Sequence, residues 1–232
     1  MPGVMPVQNR LLADLPSSAF NSIRNECELV ELTTGDVLYE AGERIRDVYF
    51  PTQSILSLVA KAATNALEVA LVSDDGMIGI PLLLGADRKP LRVLVQRSGP
   101  AWRMKAETFK RMTDTQQALR ESLNRYALLR LAQIAQNAVC SKFHPIAARL
   151  ARRLLTMHDR SYANPFPTTY ASLATMLGER GSIVTLAGVR FEEHNLIDYE
   201  SGIITILDRK GLETLSCECY RIAPDLQNQS PR

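Results

Sequence analysis

The chain has 232 residues, 46% hydrophobic and 22% charged, with a formal net charge of +2. That profile fits one large or two modest globular domains and excludes collagen-like and low-complexity chains. No apolar run approaches the roughly 18 residues of a membrane helix, the opening MPGVMPVQNR lacks the order of a signal peptide, and cysteines at 27, 140, 217 and 219 are too few for a disulfide scaffold. The chain therefore reads as a protein of the reducing cytoplasm. Its small net charge hides an uneven distribution: residues 88–160 carry 16 basic side chains against 4 acidic ones, whereas the flanking segments are net acidic. Such a block is a candidate footprint for phosphate. A long helix with a solvated basic face is the plainer explanation.

In chain order, a short helix over Leu11 to Asn25, broken at Pro16, comes first. Runs at Leu29–Leu32, Val37–Tyr39, Asp47–Phe50, Ile55–Ala60, Leu67–Val72 and Arg92–Val95 then read as strands. Gly35-Asp36, Ala41-Gly42, Asp74-Asp75-Gly76 and Ser98-Gly99-Pro100 punctuate them, the pattern of a small β-barrel or jelly roll. From about Lys105 to Arg160 Gly and Pro almost vanish. Ala127, Leu131, Ile134 and Ala138 recur at 4, 3, 4 spacing, with Leu123 nearby, a heptad seam on a helix of about 25 residues or more. The seam is read as a two-fold dimer interface; packing on the helix's own barrel is the alternative. Pro145 ends or restarts this helix, and Ile146, Leu150, Leu154 and Leu155 mark a second amphipathic one.

Asn164-Pro165-Phe166-Pro167 reads as a linker or turn. Thr169 is a good N-cap for a helix bearing Leu173, Ala174 and Leu177, which Gly178 closes. Ser182 is a candidate cap for the next helix, with Val184 and Phe191 facing inward. Leu196–Tyr199, the turn Glu200-Ser201-Gly202 and Ile203–Leu207 then predict a hairpin, and Asp208 caps a last short helix. Helix, glycine turn, helix and hairpin make up a winged helix-turn-helix.

LATMLGERGSIVT, FEEHNLI and YESGIITILD resemble the C-terminal domain of the Crp/Fnr transcription regulators. An atypical branch of that family is closer still, with segments similar to those here at His144–Leu155, Met176–Thr185 and Cys217, Cys219, Tyr220. The resemblance covers most of the chain. It implies an α+β protein with a cyclic-nucleotide-binding-like β-roll sensor (residues 1–112), a dimerisation helix (113–142) and a winged helix-turn-helix (143–232). The implied partners are double-stranded DNA, a second copy of the chain, RNA polymerase and a small-molecule effector of unknown identity; no membrane is expected.

In a helix-turn-helix the second helix lies in the major groove with its first turns at the base edges. Here it would begin near Arg180 to Ser182 and end near His194. Arg180 is the natural guanine reader, Ser182 and Thr185 suit bases or phosphates, and Ile183 suits a thymine methyl. Leu186 shares their face, and Thr169 and Arg190 are candidate phosphate contacts. Typical family members carry an arginine at the position aligned with Gly181, so readout here falls on Arg180 or is weak. Gly188, inside the same helix, should cost about 1 kcal/mol relative to alanine.

The sensor also departs from the family pattern. Cyclic-nucleotide binders of the family use a Gly-Glu pair for the ribose and an Arg-Ser pair for the phosphate; here Gly79 is followed by Ile80, and Arg88, Lys89 and Arg92 stand without such a pair. An apolar residue there leaves a ribose hydroxyl unpaired, at a cost of roughly 1–3 kcal/mol. Cyclic AMP and cyclic GMP are not expected. Only Cys27 lies in the N-terminal part, too few thiols for an iron–sulfur cluster, and nothing points to a haem. His144, His158 and His194 are scattered. Cys217 and Cys219 offer two zinc ligands or a redox pair, yet no second pair is visible in the sequence, and helical residues two apart diverge. No metal and no cofactor are therefore expected. With no nucleophile–base pair, P-loop or dinucleotide fingerprint, the chain reads as a homodimeric DNA-binding transcription regulator and not an enzyme. The alternative is a protein-interaction module of the same fold that has lost sequence-specific readout.

Overall fold

The computed structural model describes residues 8–62, 65–161 and 163–222, the side chains of 62, 65 and 161 excepted; residues 1–7, read above for a targeting signal, lie outside it. Two units are present, Met1–Val59 with Ala70–Arg130 and Ala60–Val69 with Leu131–Arg232.

The first unit opens with α1 (Arg10–Ala13) and α2 (Ser17–Asn25), separated at Pro16 as the sequence implies. Buried Asn9 caps α1 by accepting from the Leu12 N–H, and its amide donates to the Pro51 and Gly76 carbonyls at 2.7 and 2.8 Å. Next come β1 (Glu28–Leu32), β2 (Val37–Tyr39), β3 (Asp47–Pro51), β4 (Ile55–Ala62), β5 (Asn65–Val72), α3 (Ile80–Leu83), β6 (Arg92–Arg97) and β7 (Gly99–Lys105). They form two sheets, ordered β1-β7-β3 and β2-β6-β4-β5. Leu32, Tyr39, Leu56, Val72, Val93 and Val95 fill the roll between them.

Six of the strands lie where alternation placed them. β7 was missed, because Gly99-Pro100 reads as punctuation and proline is rare in a central strand. Here Pro100 stands at the strand's beginning, and its carbonyl accepts the Thr52 N–H and hydroxyl at 3.1 and 2.8 Å. The strand that follows it is the middle member of its sheet.

Past β7, α4 (Ala106–Thr115) gives way at the extended residue Gln116 to α5 (Gln117–Phe143), so the long helix starts four residues later than expected. Its first turns belong to the roll. Leu119, Leu123 and Tyr126 are buried with Val48, Phe50, Phe109 and Met112, and the Tyr126 hydroxyl accepts the Met77 N–H at 3.0 Å. Leu123, read as a seam residue, is therefore fully buried core. Periodicity finds an apolar stripe but cannot say which side of a helix its own domain covers.

The second unit contains the end of β4 and the start of β5 (Ala60–Val69), the rest of α5, then α6 (Ile146–Ser161), β8 (Phe166–Pro167), α7 (Tyr170–Leu177), α8 (Gly181–Glu193), β9 (Ile197–Glu200), β10 (Ile203–Ile206) and α9 (Arg209–Leu215). Leu150, Leu154, Leu155, Leu173, Val184, Phe191, Ile204 and Leu212 share one core. The segment read as a linker is partly a strand: Phe166 and Pro167 pair with Ile204 and Ile203 at the edge of a β8-β10-β9 sheet.

The basic block is only in part a surface stripe. Arg130 is buried, donating to the Leu71 carbonyl at 2.8 Å and paired with Asp75. Buried Arg153 makes a forked pair with the buried Glu68 carboxylate, and Arg92 and Arg103 pair with Glu40 and Glu28. Much of the excess charge thus answers carboxylates and carbonyls distant in sequence, which a count by segment cannot reveal.

Candidate nucleic-acid interface

Thr169 caps α7 as expected, its hydroxyl accepting the Ser172 N–H at 3.1 Å. Gly178 ends that helix in the left-handed conformation, φ 63°, where glycine is at ease. Buried Arg149, from α6, braces the turn by donating to the Leu177 carbonyl and, at 2.8 Å, to Glu179. The cation thereby satisfies a carbonyl at the helix end, where positive charge is favoured.

The start of α8 differs from expectation in one detail. Arg180, not Ser182, is the N-cap residue, and no side chain caps this end. Ser182 lies inside the helix because the turn after Gly178 spans only Glu179 and Arg180. The first N–H groups of α8 therefore lack a side-chain partner from the cap, an arrangement suited to an external acceptor such as phosphate. Val184, Ala187, Gly188 and Phe191 face the core at helical spacing. On the opposite face Arg180, Gly181, Ser182, Ile183, Thr185, Leu186, Val189 and Arg190 are exposed. Every residue proposed for DNA contact is thus on the surface.

The two glycines of α8 have different causes. A Cβ on Gly188 would stand 2.1 Å from Tyr170 Cε1, so the glycine admits the Tyr170 ring. That ring lies 4.5 Å from the Tyr199 ring, centroid to centroid, and its hydroxyl bonds to Glu192. The conformational cost read from the sequence is therefore offset by packing. A Cβ on Gly181 would meet nothing within 4 Å, and no packing demand accounts for this glycine.

The wing is the β9–β10 hairpin, turning at Ser201 and Gly202 with φ 50° and 83°. It carries Asp198 and Glu200 and no lysine or arginine. Along α5 the large exposed apolar residues are Leu128, Leu131, Val139 and Phe143, with Leu131 65% and Phe143 72% exposed. Ala138 is exposed, and Ala127 and Ile134 are half-buried. The expected seam thus keeps Leu131 and Ala138, loses Leu123 to the core, and has Leu128, Val139 and Phe143 beside it.

The residues considered for an effector have other partners. Gly79 (φ 125°) lies against Val48, whose Cγ1 would be 2.4 Å from an added Cβ, and Ile80 packs on the α4 core. Arg88 donates to the Gly42 carbonyl at 2.8 Å, and Arg92 pairs with Glu40 at 3.1 Å. Lys89 instead turns inward, 4% exposed, with Nζ 3.2 Å from the centre of the Tyr39 ring. The ring face favours an ammonium. Burial outweighs it, because Nζ has no hydrogen-bond acceptor among the described residues, and the amine falls to about 6.

Cys217 and Cys219 do have company. They meet Cys140 and His144, a pair one helical turn apart that the sequence reading did not connect with them.

Residues 148–215 match the family described as the Crp-like helix-turn-helix domain. No curated protein matches the chain by sequence. Among solved structures, a transcriptional regulator of the crp/fnr family from Eubacterium rectale superposes with a TM-score of 0.72 at 18% identity, covering 88% of this chain and 96% of its own. FixK2 of Bradyrhizobium japonicum gives 0.71 at 13%, covering 82% and 98%. CLP of Xanthomonas campestris, a c-di-GMP-responsive global regulator, gives 0.70 at 11%, covering 82% and 99%. At these identities the likeness is one of fold.

Proposed function

We propose that this chain, which carries a Crp-like helix-turn-helix domain and the fold of the Crp/Fnr transcription regulators, is a homodimeric cytoplasmic regulator that lays α8 in the DNA major groove. The observation that carries this reading is the division of α8 into a buried face of Val184, Ala187, Gly188 and Phe191 and an exposed face bearing Arg180, Ser182, Ile183, Thr185 and Arg190. The buried face fixes the helix, and its free N-terminus meets the duplex. Arg180 reads guanine, Ser182 and Thr185 contact base edges or phosphates, Ile183 meets a thymine methyl, and Thr169 and Arg190 hold phosphates. Leu131 and its exposed apolar neighbours on α5 form the two-fold contact, which sets two half-sites about one turn, roughly 34 Å, apart. The effector is neither cyclic AMP nor cyclic GMP, the chain is not an enzyme, and RNA polymerase is a partner at the promoter.

A second reading has support of its own. Ile183, Leu186 and Val189 are all exposed on α8, and the wing is acidic, a surface that also suits a protein partner. Selection of bound duplexes from a random pool, followed by titration across salt, separates the two. A specific reader enriches one sequence and holds it against excess competitor, and Arg180→Ala relaxes that preference by about 1–3 kcal/mol. No sequence preference at any salt would favour the interaction module.

A further inference from the structure

The four side chains Cys140, His144, Cys217 and Cys219 come from two places in the second unit. Cys140 and His144 stand at the end of α5, joined by the His144 N–H to Cys140 carbonyl bond of 3.1 Å. Cys217 and Cys219 follow α9. Helical residues two apart point away from each other, which would keep the Cys217 and Cys219 sulfurs from one ion. Cys217 is not helical. It precedes a turn closed by a 3.0 Å bond from the Tyr220 N–H to its carbonyl, and both sulfurs turn to the same side.

We infer that Cys140, His144, Cys217 and Cys219 bind one zinc ion with three thiolates and an imidazole nitrogen. The Cys140 and Cys217 sulfurs are 3.6 Å apart, Cys219 Sγ is 3.5 Å from His144 Nδ1, and the four ligand atoms all lie within 4.8 Å of one another. A tetrahedral ion with ordinary zinc bond lengths places two sulfurs about 3.8 Å apart and a sulfur about 3.6 Å from a nitrogen. Two edges of that tetrahedron are thus nearly formed, and the longest separation needs to close by no more than about 1 Å.

The surroundings fit a metal better than four idle side chains. All three cysteines are buried, which keeps a thiolate–metal centre from water. His144 directs Nδ1 to the sulfurs and Nε2 to the Glu218 carboxylate, 3.1 Å away. A carboxylate holding the far imidazole nitrogen is the usual outer support of a histidine bound to zinc, since it fixes the tautomer that frees the other nitrogen. Gln136 Nε2 donates to Cys219 Sγ at 3.1 Å, as suits a thiolate acceptor. Three thiolates on one zinc leave a net negative charge. With four protein ligands the site is closed, hence structural and not catalytic. It clips the segment after α9 to the end of α5.

The test uses the full chain, purified without chelator and with any tag removed. Elemental analysis is expected to find about one zinc per chain. Cobalt(II) added to the chelator-stripped protein should give the visible ligand-field bands of a tetrahedral site together with thiolate-to-cobalt charge transfer. Cys219→Ser and His144→Ala should each lose zinc or bind it far more weakly, whereas Cys27→Ser, remote from the cluster, should leave the stoichiometry unchanged. The cobalt spectrum of the unmutated chain decides the matter if the variants fail to fold. Metal-free protein with four titratable thiols and no tetrahedral cobalt spectrum would overturn the assignment, as would metal-free protein holding a Cys140–Cys217 disulfide. None of these readouts depends on DNA binding.

Discussion

Gly181 is the most informative single position on α8. It is the first helical residue, its φ is not in the left-handed region, and an added Cβ meets nothing within 4 Å. Gly181→Arg therefore folds without strain. Replacing glycine at a compatible backbone stabilises by about 0.4–1 kcal/mol through the unfolded chain, less a few tenths for a second cation beside Arg180 at the positive helix end. The larger effect falls on DNA. One bidentate arginine–guanine contact discriminates by about 1–3 kcal/mol, so a two-fold molecule reading two half-sites gains about 2–6 kcal/mol on a matched operator. Parallel selections from a random pool, followed by anisotropy titrations at fixed salt with excess competitor DNA, read this directly. The variant should enrich an additional guanine at one symmetric position in each half-site. A new arginine that touched only phosphate would raise affinity for all sequences and steepen the salt dependence equally. If Gly181→Arg is folded and as stable as the parent, yet selects an unchanged sequence, the placement of the α8 N-terminus against base edges is wrong.

Three other substitutions test separate parts of the argument. Leu131→Asp, at an exposed position, should keep the folded circular dichroism spectrum and sediment as a monomer; an unchanged dimer would remove this part of α5 from the interface. Gly188→Ala should destabilise the chain by about 1–3 kcal/mol in denaturant titrations, since crowding against Tyr170 exceeds the better helix propensity of alanine, about 1 kcal/mol. A gain in stability would show that the Tyr170 contact has no energetic weight. Lys89 supplies a test by pH. The unfolded chain keeps this proton up to its ordinary pKa near 10.5, and the folded chain releases it at about 6. Unfolding between those values takes up a proton, so stability rises with pH across that window and the penalty is full below it. From pH 6.5 to 8.5 the parent should gain roughly 2–3 kcal/mol from this group, and Lys89→Met should remove that gain while raising stability at neutral pH. Equal slopes for the two proteins would place the charge of Lys89 elsewhere.

Much of this molecule was legible in the order of its residues, because the relevant interactions are local. Alternation of apolar residues located six strands of the roll. Thr169, Gly178 and the Glu200–Gly202 turn marked the ends of α7 and the wing, since capping and turn geometry act within a few residues. Inward Val184 and Phe191 followed from helical spacing. The departures at Gly181 and Ile80 were also visible, as they consist of side chains that are absent or apolar.

Other features rest on partners far away in the chain, and only the tertiary structure decided them. Leu123 and Leu131, eight residues apart, belong to one apolar stripe of the sequence; one is sealed against Phe109 and Met112 and the other faces outward. Arginines that seemed a basic stripe are answered by Asp75, Glu68 and Glu179, and Gly188 is explained by a tyrosine on the preceding helix. Cys140 and Cys217, separated by 77 positions, approach to 3.6 Å. Local rules set backbone conformation over a few residues, whereas burial, ion pairing and ligand convergence depend on which distant segments packing brings together. The sequence alone therefore determined most of the elements, β7 and β8 excepted, and the face of α8, and the fold decided which charges and thiols meet.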